Sequence, residues 1–126
     1  IKDFTKTIEI DPGNFDGFFN RGNTYFKLKN YNSALDDFNK GIELRPDYAD
    51  GYYDRANTHF YLADYESAIA DYTKAIQLEE KVFDFYFNRA LAKFYLGMDQ
   101  EACNDLKKAS ELGDIQSEAY HEELCE

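Results

Sequence analysis

Hydrophobic and polar positions along the chain recur with a fixed spacing. The segment 18–24 (FFNRGNT) returns as 52–58 (YYDRANT) and again as 86–92 (YFNRALA), each step covering 34 residues. Within each unit the apolar residues return every three or four positions, which is the spacing of one face of an amphipathic helix. The pattern therefore predicts helices arranged as a tandem repeat.

Each repeat is predicted to hold two helices, because it contains two apolar stripes. The first stripe comprises Phe18, Gly22, Tyr25 and Leu28, and the second comprises Ala34, Leu35, Phe38, Gly41, Ile42 and Leu44. A polar turn, Lys29-Asn30, separates them, and Pro46 follows the second stripe where it cannot continue a helix. Small residues recur where two helices must approach closely. Each unit is therefore predicted to be two antiparallel helices joined by tight turns.

These residues resemble the tetratricopeptide repeat family in the aromatic–small–aromatic spacing of the first helix, the small residue after the turn, the late alanine and the closing proline. The resemblance covers residues 15–48, 49–82 and 83–116 as three full repeats. It implies an all-α fold, a right-handed α-solenoid of antiparallel helix pairs. Residues 1–14 resemble the second helix of an earlier repeat, and residues 117–126 resemble a first helix used as a cap.

The two ends of the predicted stack differ in polarity. A first helix without its partner would expose Ile1, Phe4 and Ile8 to solvent, because a solenoid is stabilised by stacking and needs polar ends. We therefore expect either further repeats upstream or self-association through the N-terminal end. At the other end, an outer side rich in glutamate should close the stack (Glu118, Glu122, Glu123 and Glu126).

Composition restricts the class of partner. The chain has 14 Lys plus Arg against 25 Asp plus Glu, a net charge of −11. This charge disfavours nucleic acid and an anionic membrane surface as partners, and no apolar run is long enough to span a bilayer. With 11 Tyr and 11 Phe, the chain carries more aromatic residues than the core stripes alone explain.

The surplus aromatic residues fall on the side of the first helices that faces away from the core, which in this family lines the inner groove. Rings supply apolar anchor sites for a peptide, and Asn side chains both donate to and accept from its main chain. The expected peptide contacts are Phe19, Asn23, Lys27, Tyr53, Asn57, Tyr61, Phe87, Leu91 and Tyr95. Three further rings (Phe26, Phe60 and Phe94) fit the groove and the core equally well by spacing.

One binding mode of the family grips a C-terminal carboxylate with Lys, Asn and Arg on the first helices. In this sequence the Lys positions of that pattern fall on Phe19 and Asp84, and the Arg position falls on Asn88. Only Asn23 matches. We therefore expect no carboxylate-gripping site.

Two ladders of charge recur with the repeat. Arg21, Arg55 and Arg89 stand on faces that are otherwise apolar, so each should pair with an Asp of a neighbouring helix rather than with a ligand. The matching aspartates are Asp3, Asp37, Asp71 and Asp105. A third recurring set begins the first helices, where a carboxylate interacts well with the helix dipole (Asp16, Asp50 and Asp84).

No motif for catalysis, cofactor binding or metal binding is present, and His59 and His121 lack metal-ligand neighbours. The two cysteines, Cys103 and Cys125, do not indicate whether the protein works in an oxidising or a reducing compartment. Antiparallel helices would bring them together, which permits a disulfide, although two reduced, packed cysteines are the expectation.

The sequence thus indicates a non-enzymatic protein-interaction scaffold that binds a peptide segment with apolar and basic residues in an aromatic, acidic groove. The alternative is a structural role, as a segment of a longer array or a self-associating unit.

Overall fold

The computed structural model describes residues 14–125, and this part of the chain contains seven α-helices and no strands. In chain order they are α1 (Phe15–Lys27), α2 (Tyr31–Leu44), α3 (Ala49–Tyr61), α4 (Tyr65–Leu78), α5 (Phe83–Tyr95), α6 (Asp99–Glu111) and α7 (Ile115–Leu124). Each helix packs mainly on its neighbours in sequence, and α3 also touches α1 and α5. The predicted all-α stack of helix pairs is confirmed. Of the partial repeat expected in residues 1–14, residues 1–13, with Ile1, Asp3, Phe4 and Ile8, lie outside the described residues.

The turn between the first and second helix of each repeat uses a left-handed residue. Lys29 (φ 62°), Ala63 (φ 61°) and Gly97 (φ 76°) occupy the same place in successive repeats. The N–H of the following residue then donates back to the helix, as from Asp64 to the His59 carbonyl at 2.9 Å. This arrangement ends a helix and reverses the chain within three residues.

The core of each repeat is one large side chain surrounded by small ones. Phe38, Tyr72 and Leu106 are at most 1% exposed. A Cβ added at Gly22 would lie 2.7 Å from the Phe38 ring, which explains the small residue at that place. Two members of the predicted stripes are instead exposed, Leu28 (64%) and Leu44 (37%), because they lie at helix ends that no neighbouring helix covers.

The Arg–Asp pairing predicted from the charge ladders is confirmed within the described residues. Arg21 donates to Asp37 at 2.8 and 2.6 Å. Arg55 donates to Asp71 at 2.7 and 2.8 Å, and Arg89 to Asp105 at 2.8 and 2.7 Å. These two-point pairs join the first and second helix of each repeat and leave the aspartates nearly buried. The Arg side chains therefore serve the fold.

The last helix starts earlier than the repeat length predicts. It begins at Ile115 rather than residue 117, because Gly113 (φ 107°) ends α6 and the Asp114 carboxylate accepts from the Ser117 hydroxyl at 2.5 Å. Glu118, Glu122 and Glu123 are exposed as expected. However, Ile115 is 80% exposed and Leu124 is 54% exposed, so the outer side of this helix is less polar than predicted. Glu126 lies outside the described residues.

Cys103 and Cys125 form a disulfide, with Cα atoms 5.8 Å apart. The expectation of two reduced cysteines was therefore wrong. The antiparallel packing of α6 and α7 places the start of one helix beside the end of the other, as the sequence had indicated.

Candidate functional site

Helices α1, α3 and α5 form one continuous surface, the first-helix face, and the nine expected peptide contacts all belong to these three helices. Phe19 does not reach its surface, since it is only 4% exposed. Its ring fills the space beside Gly41 and Gly51, where an added Cβ would lie 2.8 Å from ring carbons. Tyr53 occupies the same place one repeat later but stays half-buried, because Phe85 replaces the glycine and packs 5.0 Å from its ring. The sequence contained this signal, because Gly51 of the second repeat corresponds to Phe85 of the third.

A cavity of about 270 Å³ lies in the middle of the first-helix face. It brings together four of the expected contacts, Tyr53, Asn57, Tyr61 and Leu91. The remaining lining residues are Phe26, Phe60, Tyr72 and Asn88. Three rings fitted the groove and the core equally well by spacing. Phe26 and Phe60 line the cavity while packing on the core, whereas Phe94 packs on the cluster around Leu106. Tyr72 was missed because its position belongs to the core stripe.

Polar groups at the bottom of the cavity are linked by hydrogen bonds. The Tyr72 hydroxyl donates to Asn57 Oδ1. Asn88 Nδ2 donates to the Tyr53 hydroxyl oxygen at 2.9 Å and to the Asp84 carbonyl at 3.0 Å. Burial raises the pKa of both Tyr53 and Tyr72, so both hydroxyls stay protonated at neutral pH. The cavity therefore has aromatic walls and a neutral, hydrogen-bonding floor.

Stacked tyrosines continue from the cavity to the turn edge of the helices. Tyr31 stacks on Tyr61 with ring centroids 5.5 Å apart, and Tyr65 stacks on Tyr95 at 4.7 Å. The Phe60 ring contacts both Tyr61 and Tyr95 edge-on. Tyr61 and Tyr95 remain 60% and 65% exposed. These two expected contacts therefore form an exposed aromatic edge next to the cavity, and Lys27 is exposed at the same repeat position of α1.

Carboxylates gather at the opposite end of the first-helix face, near the starts of the helices. We call Asp16, Asp50, Asp54 and Asp84 the acidic strip. Burial raises the pKa of Asp54 to about 7, with a smaller contribution from the charge of Asp50 and against the lowering effect of a hydrogen bond from Asn23. Asn23, expected to bind a peptide main chain, instead donates to Asp54 Oδ2 at 3.5 Å. After burial, the charges of Asp84, Asp54 and Asp50 also raise the pKa of Tyr53, so the acidic strip adjoins the cavity.

Comparison with known proteins identifies the family. The model of the tetratricopeptide repeat matches residues 15–48 and 49–82. This chain belongs to the tetratricopeptide repeat family. Tetratricopeptide repeat domains are protein–protein interaction scaffolds. No curated protein sequence matches the chain.

Three solved structures illustrate the similarity. The first tetratricopeptide domain of Spaghetti (RPAP3), bound to the HSP90 peptide SRMEEVD, is 27% identical with a TM-score of 0.81, over 85% of this chain and 86% of that one. The Arabidopsis OM64 domain is 26% identical with a TM-score of 0.83, over 87% and 93%. MamA is 23% identical with a TM-score of 0.87, over 95% and 74%, and shows the shared fold alone.

Three cations between the helices of the repeats are paired away from the acidic strip, whereas Arg45 lies 5.1 Å from the centroid of the Tyr48 ring, which the charges of Asp16, Asp50 and Asp54 also influence. Arg55 pairs with Asp71, and Arg89 and Lys93 pair with Asp105 at 2.7 and 2.9 Å, all between first and second helices.

Residues 14–125 contain no group of three or more side chains arranged to hold a metal ion. None of the helices described is both long and apolar enough to cross a membrane.

Proposed function

We propose that this tetratricopeptide domain binds an amphipathic segment of a partner protein on the first-helix face, with an apolar side chain in the cavity and basic side chains on the acidic strip. The observation that carries the proposal is the cavity of about 270 Å³, bounded by rings on one side and adjoined by carboxylates on the other. Its volume lies below the roughly 300–1,000 Å³ of small-molecule sites, which favours a side chain of a larger partner.

The cavity suits an uncharged side chain. Its walls are Phe26, Phe60, Tyr61 and Leu91, and its floor offers only amide and hydroxyl groups. A charged group there would lose water without gaining an opposite charge, which is costly. An apolar or aromatic side chain would bury its surface against the rings and form the central contact.

The acidic strip suits Lys or Arg from the same segment. Asp54 precedes Phe60 by six residues, which is about 9 Å along a helix at about 1.5 Å per residue. A helix of the partner is about 10–12 Å wide, so one amphipathic segment lying across α1, α3 and α5 would reach both regions. The charge on the strip would attract and orient such a segment.

The same residues argue against the carboxylate-gripping mode. At the positions that hold Lys in that mode, Phe19 is buried and Asp84 is acidic. At the Arg position, Asn88 uses its amide group on Tyr53 and on the Asp84 carbonyl. An acidic tail would meet repulsion rather than cations here. The expected contacts of the proposed mode are Tyr53, Asn57, Tyr61, Leu91 and Tyr95 with Asp50 and Asp54.

Fluorescence anisotropy with three labelled peptides tests this function. The probes are an amphipathic peptide of Leu and Lys, the same peptide with Glu in place of Lys, and SRMEEVD. We expect saturable binding of the peptide with Lys, here called the Lys probe, and no saturable binding of the other two peptides. Tyr61→Ala and Leu91→Ala should each weaken it about tenfold, within the range of interface anchors, whereas Ile115→Ala should not, since that side chain is exposed on α7.

Charge variants separate specific pairing from general attraction to an acidic protein. At pH 8, where Asp54 is largely ionised, Asp50→Asn with Asp54→Asn should weaken the Lys probe by about 2- to 5-fold more than Asp36→Asn, since an ion pair near the surface contributes up to about 1 kcal/mol. Asp36 is an exposed residue of α2, which is not one of the helices of the first-helix face. Equal effects of both changes, or saturable binding of SRMEEVD, would refute the proposed mode.

A further inference from the structure

The last helix is weakly attached by its own side chains. Of the residues of α7, Ser117 is buried and Tyr120 packs on Phe87 with ring centroids 5.7 Å apart. Ile115 and Leu124, its two large aliphatic residues, are 80% and 54% exposed. A helix of ten residues is marginal in water unless tertiary packing supports it. Something besides apolar burial must therefore hold the C-terminal end of α7 in place.

The disulfide supplies that attachment. Cys103 lies in α6, and Cys125 follows directly after Leu124, the last residue of α7. The two cysteines are 22 residues apart in sequence. A crosslink of this span favours the docked state by restricting the alternatives open to the released chain. Cleavage would leave α7 held mainly by Ser117 and Tyr120, with His121 half-buried beside α6.

Both sulfur-bearing residues line an open space. A cavity of about 410 Å³ between α6 and α7 is bordered by Cys103 and Cys125 together with Lys107 and His121. Neither cysteine is fully buried, so a thiol can approach the disulfide from this side. Lys107 lies one turn after Cys103 on the same helix and Asp99 one turn before it, and both border the cavity, so Cys103 is flanked by a cation that stabilises a thiolate and an anion that opposes it.

We propose that Cys103–Cys125 is a thiol–disulfide exchange site that latches α7 onto the stack and is opened by a dithiol reductant. A thiolate of the reductant attacks Cys125 Sγ, forms a mixed disulfide and releases Cys103 as a thiolate beside Lys107. The second thiol of the reductant then attacks the mixed disulfide and releases Cys125. Two electrons and two protons pass to the cysteines, and the reductant leaves as its own disulfide.

Opening the latch has a structural consequence at the end of the stack. The cluster of Ala90, Ala102 and Leu106 packs against Phe87, Phe94, Tyr120 and Cys125. Undocking of α7 removes Tyr120 and Cys125 from this cluster and uncovers Phe87 on the first-helix face. The redox state of two cysteines thereby controls whether the last repeat is capped. This inference does not depend on the peptide-binding proposal.

Hydrogen exchange measured by mass spectrometry on the full chain tests the latch, with dithiothreitol as reductant and oxidised glutathione to restore the bond. On reduction, the mass should rise by two hydrogens and exchange in residues 115–125 should accelerate about tenfold or more, as expected for loss of a crosslink of this span. Exchange in α1 to α4 should not change. Cys103→Ser with Cys125→Ser should show fast exchange in α7 with and without the reductant.

Three results would overturn the proposal. The first is resistance of the native disulfide to dithiothreitol, which would make the bond purely structural. The second is unchanged protection of α7 after complete reduction, which would show that packing alone holds it. The third is faster exchange throughout the chain, which would assign the disulfide to global stability rather than to the cap.

Discussion

Phe19 and Tyr53 occupy the same place in successive repeats, but only Phe19 is buried, at 4% exposed. The difference comes from the residue that lies beside each ring, which is Gly51 for Phe19 and Phe85 for Tyr53. Gly51 leaves room for the Phe19 ring, whereas Phe85 fills that room and leaves Tyr53 beside the cavity. The shape of the first-helix face is thus set by single large–small exchanges between neighbouring helices.

Gly51→Ala should destabilise the domain. The added Cβ would lie 2.8 Å from the Phe19 ring and 3.3 Å from Ile42, and both neighbours are buried. We expect a loss of about 1–3 kcal/mol in the free energy of unfolding, as for other overpacked cores, despite the better helix propensity of alanine. Urea unfolding provides the measurement. In a Phe19→Leu background the penalty should shrink, and an equal penalty in both backgrounds would contradict the steric cause.

Asp54 should make the free energy of unfolding fall as pH rises, whereas an ion-paired carboxylate makes it rise. Its pKa is about 7 in the fold and about 3.9 when unfolded, so between these values the folded state binds a proton that the unfolded state releases. Stability from this group therefore falls as pH rises from about 4 to about 7 and then levels off. Asp54→Asn should remove this slope and be more stable at pH 8, by about 1 kcal/mol or more.

Urea unfolding of both proteins at several pH values between 4.5 and 8 measures that difference. Asp36→Asn, with its exposed carboxylate, is the matched control and should keep the slope of the unmodified chain. Parallel pH profiles for the unmodified chain and Asp54→Asn would show that Asp54 is not the group responsible.

At the scale of helices, the turns offer a matched pair of substitutions. Ala63 and Gly97 end α3 and α5 with left-handed backbones of φ 61° and 76°, and both are exposed. A residue with a Cβ pays about 1–2 kcal/mol in that conformation, which exceeds the chain entropy that glycine loses on folding. Ala63→Gly should therefore raise stability by about 0.5–1 kcal/mol and Gly97→Ala should lower it by about 1 kcal/mol. Thermal unfolding distinguishes these signs, and a loss on Ala63→Gly would refute the strain argument.

The sequence predicted the helices and the Arg–Asp pairs because both depend on spacing alone. A period of three or four residues determines which side chains share a face, and a charge on an apolar face needs a partner wherever the repeat places it. The depth of a residue depends instead on the size of its neighbours, so the burial of Phe19 did not follow from its position. The early start of α7 arose from Gly113 and Asp114, a local stop and start signal that overrides the repeat length.

For the candidate site, spacing placed Tyr53, Asn57, Tyr61 and Leu91 on one face, and the cavity brings these four together. Spacing did not identify Tyr72, because this residue lies at a core position in the second helix of its repeat and reaches the cavity from there. It also did not reveal that Asn23 faces Asp54 at 3.5 Å. Such pairings depend on how far one repeat rotates against the next, which no single repeat encodes.

At the scale of the whole molecule, the net charge of −11 should give stability and peptide binding opposite responses to salt. Raising ionic strength from about 0.01 to about 0.1 M shortens the screening length from about 30 to about 10 Å. Repulsion among the exposed carboxylates then weakens, and the melting temperature should rise. The Arg–Asp pairs inside the repeats are nearly buried and lose little to screening.

Binding of the Lys probe should respond to salt with the other sign, because attraction to the acidic strip is screened over the same range. Anisotropy titrations and thermal unfolding at matched salt concentrations compare the two. Leu91→Ala should weaken binding at every salt concentration without changing the slope, since it removes apolar contact only. At pH 8, where Asp54 is largely ionised, Asp50→Asn with Asp54→Asn should flatten the slope, since it removes charge. If affinity for the probe rose with salt alongside the melting temperature, apolar contact would dominate recognition and the acidic strip would have no part in it.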